Sequence, residues 1–353
     1  MIDSSAESGV HDRAQRTELV KQLALRAGFS RVGIARACDL ADDHVALTEW
    51  LDAGHHGEMA WLARNTPRRC DPGLVVDNAR SVICLAVDYD SDAPRTHDDG
   101  GLGEGRAWIS RYAWGDDYHR VIERRLKAFA RAVGDEVVPH LPDGFRGDGD
   151  SGAPWVSARD FRFYVDHGPV LERAWAVRAG LGWRGRHGLV VDPERGSFFF
   201  LAVVLTSVDL LPDDAIADHC GTCTACVDAC PTDAILAVRS VDSRKCISYL
   251  TIEAPVPLSD EQTSMLHSHV FGCDICQDVC PFNRFSRPGD PAFAPRPGSV
   301  APKLQDLLSL SPTEFAERFR ASPVKRRKIS QLQWIAEAHV RDEQAAADTA
   351  DNS

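Results

Sequence analysis

The 353-residue chain is 44% hydrophobic and 26% charged, and its 40 Lys and Arg against 52 Asp and Glu leave a formal net charge of -12. That length allows two or three domains with a substantial core, and the acidic balance weighs against a protein that coats nucleic acid non-specifically. No 18-residue apolar stretch occurs, and Met1 to Arg16 lacks the basic and apolar regions of a signal peptide, so a cytoplasmic protein without a membrane partner is expected.

In chain order, residues 18 to 28 carry Leu19, Leu23 and Ala24 at helical spacing and predict a first helix ending near Gly28, followed by a short strand through Val32, Gly33 and Ile34. A second helix is expected over His44 to Leu51, and the apolar run Ser81 to Asp88 predicts a buried strand. Residues 91 to 106, rich in Asp, Gly and Pro, read as a surface loop. Asp116 and Asp117 can cap a helix through Val133 with Val121, Leu126, Phe129 and Ala130 inward. Val137 and Val138, then Phe161 to Val165, suggest two strands, and Pro169 opens a helix stopped by Gly180 and Gly182. His187 to Val191 and Phe198 to Leu205 are the last strands before an acidic linker at Leu211 to Asp218. The class is α+β: an α/β domain over 1–212, a cysteine-rich unit over 213–288, and a helical C-terminal segment over 289–353 whose last dozen residues look disordered.

The cysteine unit carries the most specific signal. Cys220, Cys223, Cys226 and Cys230, with Pro231, have the ligand spacing of bacterial two-cluster ferredoxins, in which the fourth cysteine binds the other cluster. Cys273, Cys276 and Cys280, with Pro281, repeat it with Val270 in the first place, and Cys246 is the natural replacement. One 4Fe-4S cluster is therefore assigned to Cys220, Cys223, Cys226 and Cys280, and a second to Cys230, Cys246, Cys273 and Cys276. The alternatives are a pair of four-cysteine zinc sites and a disulfide framework, which belongs to short secreted chains. Cys38, Cys70 and Cys84 read as ordinary buried or half-buried thiols. A basic run, Lys325 to Lys328, reads from charge alone as a solvated helix start.

Three blocks ahead of the cysteines, Arg111 to His119, Val165 to Ala174 and Ala179 to His187, together with Cys220 to Cys223 and Cys246 to Thr251, resemble the cobalamin-dependent, two-cluster epoxyqueuosine reductases of tRNA queuosine synthesis. The resemblance spans roughly residues 15 to 335. It implies a nitroreductase-like α/β domain that binds cobalamin base-off, a ferredoxin-like domain closing over it, a monomer, an external electron donor, and a tRNA anticodon loop carrying epoxyqueuosine as partner. Long members carry C-terminal helical repeats that this chain lacks. Corrinoid dehalogenases share the two-part design and are the enzymatic alternative; a plain ferredoxin-type electron carrier is the other.

The implied reaction is a two-electron reduction with loss of water. Asp166 matches the family's catalytic aspartate and is expected to donate a proton, a role that requires its surroundings to favour the acid form; its bland alternative is an N-cap for the helix at Pro169. Arg69, Ser110, Arg111, His187 and Val190 fall at positions matching cobalamin contacts, with His187 hydrogen bonding and not ligating cobalt; Asp166 is counted among the cofactor-binding residues, as is Ser248, beside Cys246 in the segment expected to face the corrin. The bland alternatives are an Arg111 pair with Asp116, a strand-end His187 and a Tyr118 that packs its helix. The resemblance also moves Lys325 to Lys328 towards tRNA phosphate contact.

Overall fold

The computed structural model describes residues 4–95, 105–141, 161–236 and 239–351. A four-stranded, wholly antiparallel sheet takes the order Arg31–Arg36, Ser81–Asp88, Phe199–Thr206, Phe161–Tyr164. Both central strands are apolar almost throughout, because each face is covered. Alternation sends Ile83, Leu85 and Val87 to one face, with Val20 and Leu23 of helix Ser4–Arg26 and Val121, Leu126 and Phe129 of helix Tyr118–Glu136. Val82, Cys84 and Ala86 go to the other, with Ala174, Trp175 and Ala176 of helix Glu172–Arg178.

A third core gathers Trp108, Ile109 and Trp114 with Tyr249, Leu250, Val270, Phe271, Leu304, Phe315, Leu332 and Ile335. Its centre is a parallel pairing of His269–Phe271 with Trp108–Ile109, so residues from the first third of the chain are built into the C-terminal core. Gly272, at φ +71, follows that strand where a Cβ would stand 2.4 Å from Cβ of Ser110; only glycine lets the thiol segment approach so closely. The cysteine segment itself is short-helical. Cys226 sits in Ala225–Asp228 and Cys276 in Ile275–Asp278, two equivalent four-residue helices packed on each other.

Several local expectations are corrected. Val138–His140 is a 3-10 turn where a strand was expected, since Pro139 removes a ladder donor. The helix expected from Pro169 begins at Glu172, with Leu171 as its N-cap. Only Val190 and Val191 of the stretch from His187 form a strand, paired with Trp183–Arg184. Cys70 and Cys84 are buried as expected, but Cys38 is exposed. Residues 96–104 of the expected surface loop lie outside the described residues, and the final helix, Ile329–Asp351, runs through most of the stretch expected to be disordered. No helix among the described residues is long and apolar enough to cross a membrane.

Candidate active site and thiol cradles

Strand Phe161–Tyr164 ends one residue before buried Val165, and Asp166 follows in the left-handed region at φ 54. An aspartate tolerates that conformation better than most residues, at a cost the surroundings must offset. Three contacts do so. The Asp166 N–H donates to Oε1 of Glu172 at 2.7 Å, the Arg69 guanidinium donates to the Gly168 carbonyl at 3.1 Å, and the Tyr118 hydroxyl donates to Oδ2 of Asp166. Gly168 is at φ +117 with its Cα against the Tyr164 ring, where any Cβ would collide. Asp166 is therefore no N-cap; its side chain is turned outward, 63% exposed, with Nε2 of His119 at 3.8 Å.

The donors are placed by the start of helix Tyr118–Glu136. Asp117 caps it by accepting from the His119 N–H at 3.1 Å, and accepts at 2.9 Å from Nδ1 of the same imidazole. The Tyr118 ring lies flat on Phe200 at 4.3 Å and under His119 at 4.1 Å. Burial, then the Asp166 charge, push its phenol well above the ordinary tyrosine range, so it stays a donor. Burial also pushes the Glu172 carboxyl up to about 8, helped by Asp166 beside it, so Glu172 is largely neutral near neutral pH. Arg173, next along, donates to the Gly188 carbonyl at 3.0 Å and ties this region to the turn carrying His187.

His187 is buried; its Nδ1 accepts from the Leu189 N–H at 3.2 Å, which leaves the proton on Nε2, an atom with no partner among the described residues. Burial, then the charge of Arg173, bring its pKa down to about 4, so it is neutral at pH 7. Ser110 and Arg111 are committed inward. The Ser110 hydroxyl and the Arg111 N–H donate to Asp274 at 2.5 and 2.6 Å, joined by the Trp108 indole at 3.1 Å. The Arg111 guanidinium pairs with Asp90 at 3.2 Å and not with Asp116, which pairs with Arg296. Val190 is buried in its short strand, and Ser248 is half-buried in helix Ile247–Ile252, just after Cys246.

Cys220, Cys223, Cys226 and Cys280 line one cavity with Arg186, His187, Pro281 and Phe282. Cys276 lies near Cys246, Cys226 and Cys230, Cys273 near Cys276 and Cys246, and burial holds all three of Cys246, Cys273 and Cys276 above the ordinary thiol range. Among the described residues no three His, Cys, Asp or Glu side chains converge as a single-ion site. The donor set suits a cluster broader than one ion.

The basic run is divided. Arg327 is buried and donates to the carbonyls of Leu250, Thr251 and Ala254 at 2.6 to 3.0 Å, and Arg326 pairs with Glu253; Lys325 and Lys328 alone are exposed without a carboxylate partner among the described residues. A second basic feature escaped the sequence reading. Arg120, Arg124, Lys127 and Arg131, spaced to share one face of helix Tyr118–Glu136, are all exposed and line one hollow, unpaired with any carboxylate among the described residues. Glu123 in that hollow stands 3.9 Å from His167, the neighbour of Asp166. The apolar positions of this helix were legible because they repeat every three to four residues; the stripe is their complement, and its relation to Asp166 depends on tertiary packing.

A family model described as "Epoxyqueuosine reductase QueG, DUF1730" matches residues 69–147, and a "4Fe-4S double cluster binding domain" model matches 219–283. An epoxyqueuosine reductase of Cellulophaga algicola is 38% identical over 324 residues, covering 92% of this chain and 97% of the relative. The chain belongs to the epoxyqueuosine reductase family. It is similar in structure to an epoxyqueuosine reductase solved with an epoxyqueuosine-modified tRNA-Tyr stem loop, at TM-score 0.76 and 28% identity over 92% of this chain and 80% of that one. It is likewise similar to the Bacillus subtilis epoxyqueuosine reductase solved with an aspartate catalytic loop swung out of the active site, at TM-score 0.75 and 29% identity, with the same coverage. As a member of this family the protein is an oxidoreductase with a double-cluster iron-sulfur domain.

Proposed function

We propose that the protein reduces epoxyqueuosine in tRNA to queuosine, with electrons from an external donor entering through two 4Fe-4S clusters and cobalamin as the organometallic cofactor. The reaction removes the epoxide oxygen as water, consuming two electrons and two protons. When bound, the clusters would pass single electrons and the corrinoid would supply the two-electron reduction of the epoxide carbon. The residues fit such groups. Four thiols line one cavity, Cys230, Cys246, Cys273 and Cys276 would hold the second cluster, and the buried His187 Nε2–H has no other partner among the described residues. Arg69, Asp166, His187, Val190 and Ser248 would hold the corrinoid, and Ser110 and Arg111 would shape its site from beneath, because their side chains and N–H groups are engaged within the fold.

The observation that carries the reading is Asp166, an exposed carboxyl held on an outward loop by Glu172, Arg69 and Tyr118, beside His119. Asp166 would give its proton to the departing oxygen. Tyr118, kept protonated, would orient the carboxyl; Glu172, largely neutral, would fix the loop. Arg120, Arg124, Lys127 and Arg131 would carry phosphates of the anticodon stem, with Lys325 and Lys328 as further contacts. The wobble base would turn out towards Asp166.

The test is anaerobic turnover: protein loaded with iron, sulfide and cobalamin, a strong reductant, and tRNA carrying epoxyqueuosine, followed by nucleoside mass analysis. Queuosine that appears only with cobalamin present supports the reading. No conversion by fully loaded protein would refute it.

A further inference from the structure

The turn joining strand Trp183–Arg184 to strand Val190–Val191 precedes the cysteine segment but faces its thiols. Trp183, 2% exposed, points its indole N–H at Sγ of Cys220, at 3.3 Å. Its ring is wedged edge-on between His219, at 5.1 Å, and Phe282, at 4.8 Å. Those two side chains flank Cys220 and Cys280, so the indole touches the cradle from both of its separated chain segments. Arg186 fixes the same rim by donating to the Gly221 carbonyl at 2.8 Å. Its Nε, like Nε2 of His187, is buried without a partner among the described residues, and both side chains line the cavity with the four thiols.

We propose that Trp183 is a potential-setting and positioning residue for the cluster bound by Cys220, Cys223, Cys226 and Cys280, donating its indole N–H to the Cys220 thiolate. The inference rests on that ligand assignment. One-electron reduction adds a unit of negative charge that is shared with the thiolates. An N–H aimed at one of them stabilises the reduced cluster more than the oxidised one and raises its potential. The donor is buried, so water does not replace it and the dipole acts at low dielectric. The part of the chain that precedes the cysteine segment and holds Asp166 thereby sets how readily the first cluster accepts its electron.

The experiment is an anaerobic redox titration of the iron-loaded full chain followed by EPR, with wild type, Trp183→Phe and Phe282→Leu, and with tryptophan labelled by 15N in the indole. Trp183→Phe is expected to make reduction of one cluster less favourable by roughly tenfold, about 59 mV for one electron, leaving the other midpoint in place. A 15N coupling on the reduced wild-type cluster should vanish in Trp183→Phe and persist in Phe282→Leu. Loaded Trp183→Phe with both midpoints unchanged would overturn the proposal, as would an equal shift in Phe282→Leu, or wild type without the 15N coupling should the variant fail to fold. Wild type that binds well under about eight irons per chain would overturn the ligand assignment, and the proposal with it.

Discussion

Asp166 combines a left-handed backbone with an outward carboxyl, and each neighbour that holds it there has a separate role open to measurement. Asp166→Asn keeps an acceptor for Tyr118 but has no proton to give; turnover should fall by about 10²- to 10⁴-fold while iron content and tRNA affinity stay unchanged, as read by nucleoside analysis and filter binding. Glu172 lies beneath it with a folded pKa of about 8 against an ordinary 4.5. The folded chain therefore keeps a proton that the unfolded chain gives up. Its stability is full below about 4.5 and falls as pH rises through about 8. Glu172→Gln preserves an acceptor for the Asp166 N–H, so its urea midpoint should decline less than that of wild type across this window. Arg327 is a residue whose meaning changed with the structure. In sequence it is one of four consecutive bases, whereas in the fold it bonds three carbonyls at 3% exposure. Arg327→Ala should lower stability by ~3 kcal/mol, since it strands buried acceptors, and equilibrium unfolding will measure this.

Helix Tyr118–Glu136 serves three directions at once. Its inner face supplies Val121, Leu126 and Phe129 to the core, its first turn supplies Tyr118 and His119 to the site, and its outer face carries the cationic stripe. Only the first of these follows from periodicity. Reversing Arg124 and Lys127 together to Glu should weaken tRNA binding and flatten its salt dependence by roughly 0.7 to 0.9 per lost phosphate contact. Turnover at saturating tRNA should be retained. Affinity measured across a salt series checks this, and an unchanged slope would remove the stripe from the tRNA surface. The short helices Ala225–Asp228 and Ile275–Asp278 show a different economy. They are too short to be stable alone, and their contact with each other and with the thiol cradles holds them.

At the scale of the molecule, the assigned ligands cross: Cys280 reaches back to the first array and Cys230 forward to the second. With that assignment, metal binding and folding of the cysteine segment would be coupled. Cys280→Ala should lose more than half of the iron and lower the thermal midpoint, whereas Cys38→Ala, at an exposed thiol, should alter neither; iron assay and calorimetry distinguish them. The third core adds to this coupling, because Trp108, Ile109 and Trp114 pack among residues beyond Tyr249. Asp274, between two assigned ligands, accepts from Trp108, Ser110 and Arg111, and burial, then Asp278, raise its carboxyl to about 6. The cysteine segment is thus fastened to the first part of the chain by hydrogen bonds as well as by apolar packing.

By itself the sequence determined whatever depends on spacing along the chain. The strand Ser81–Asp88 follows from its short, continuous apolar run and helix Tyr118–Glu136 from a period of 3.6, and the ferredoxin arrays from cysteines three and four residues apart. It also singled out Asp166 as a candidate, through the family resemblance. Tertiary structure decided what depends on segments far apart: the Tyr118 hydroxyl on Asp166, the loss of Arg327 from the basic surface, the stripe beside the site, and the Trp183 indole on Cys220. Periodicity specifies which face of an element is buried. It carries no information about which distant element covers that face, and a hydrogen bond exists only once that partner is in place.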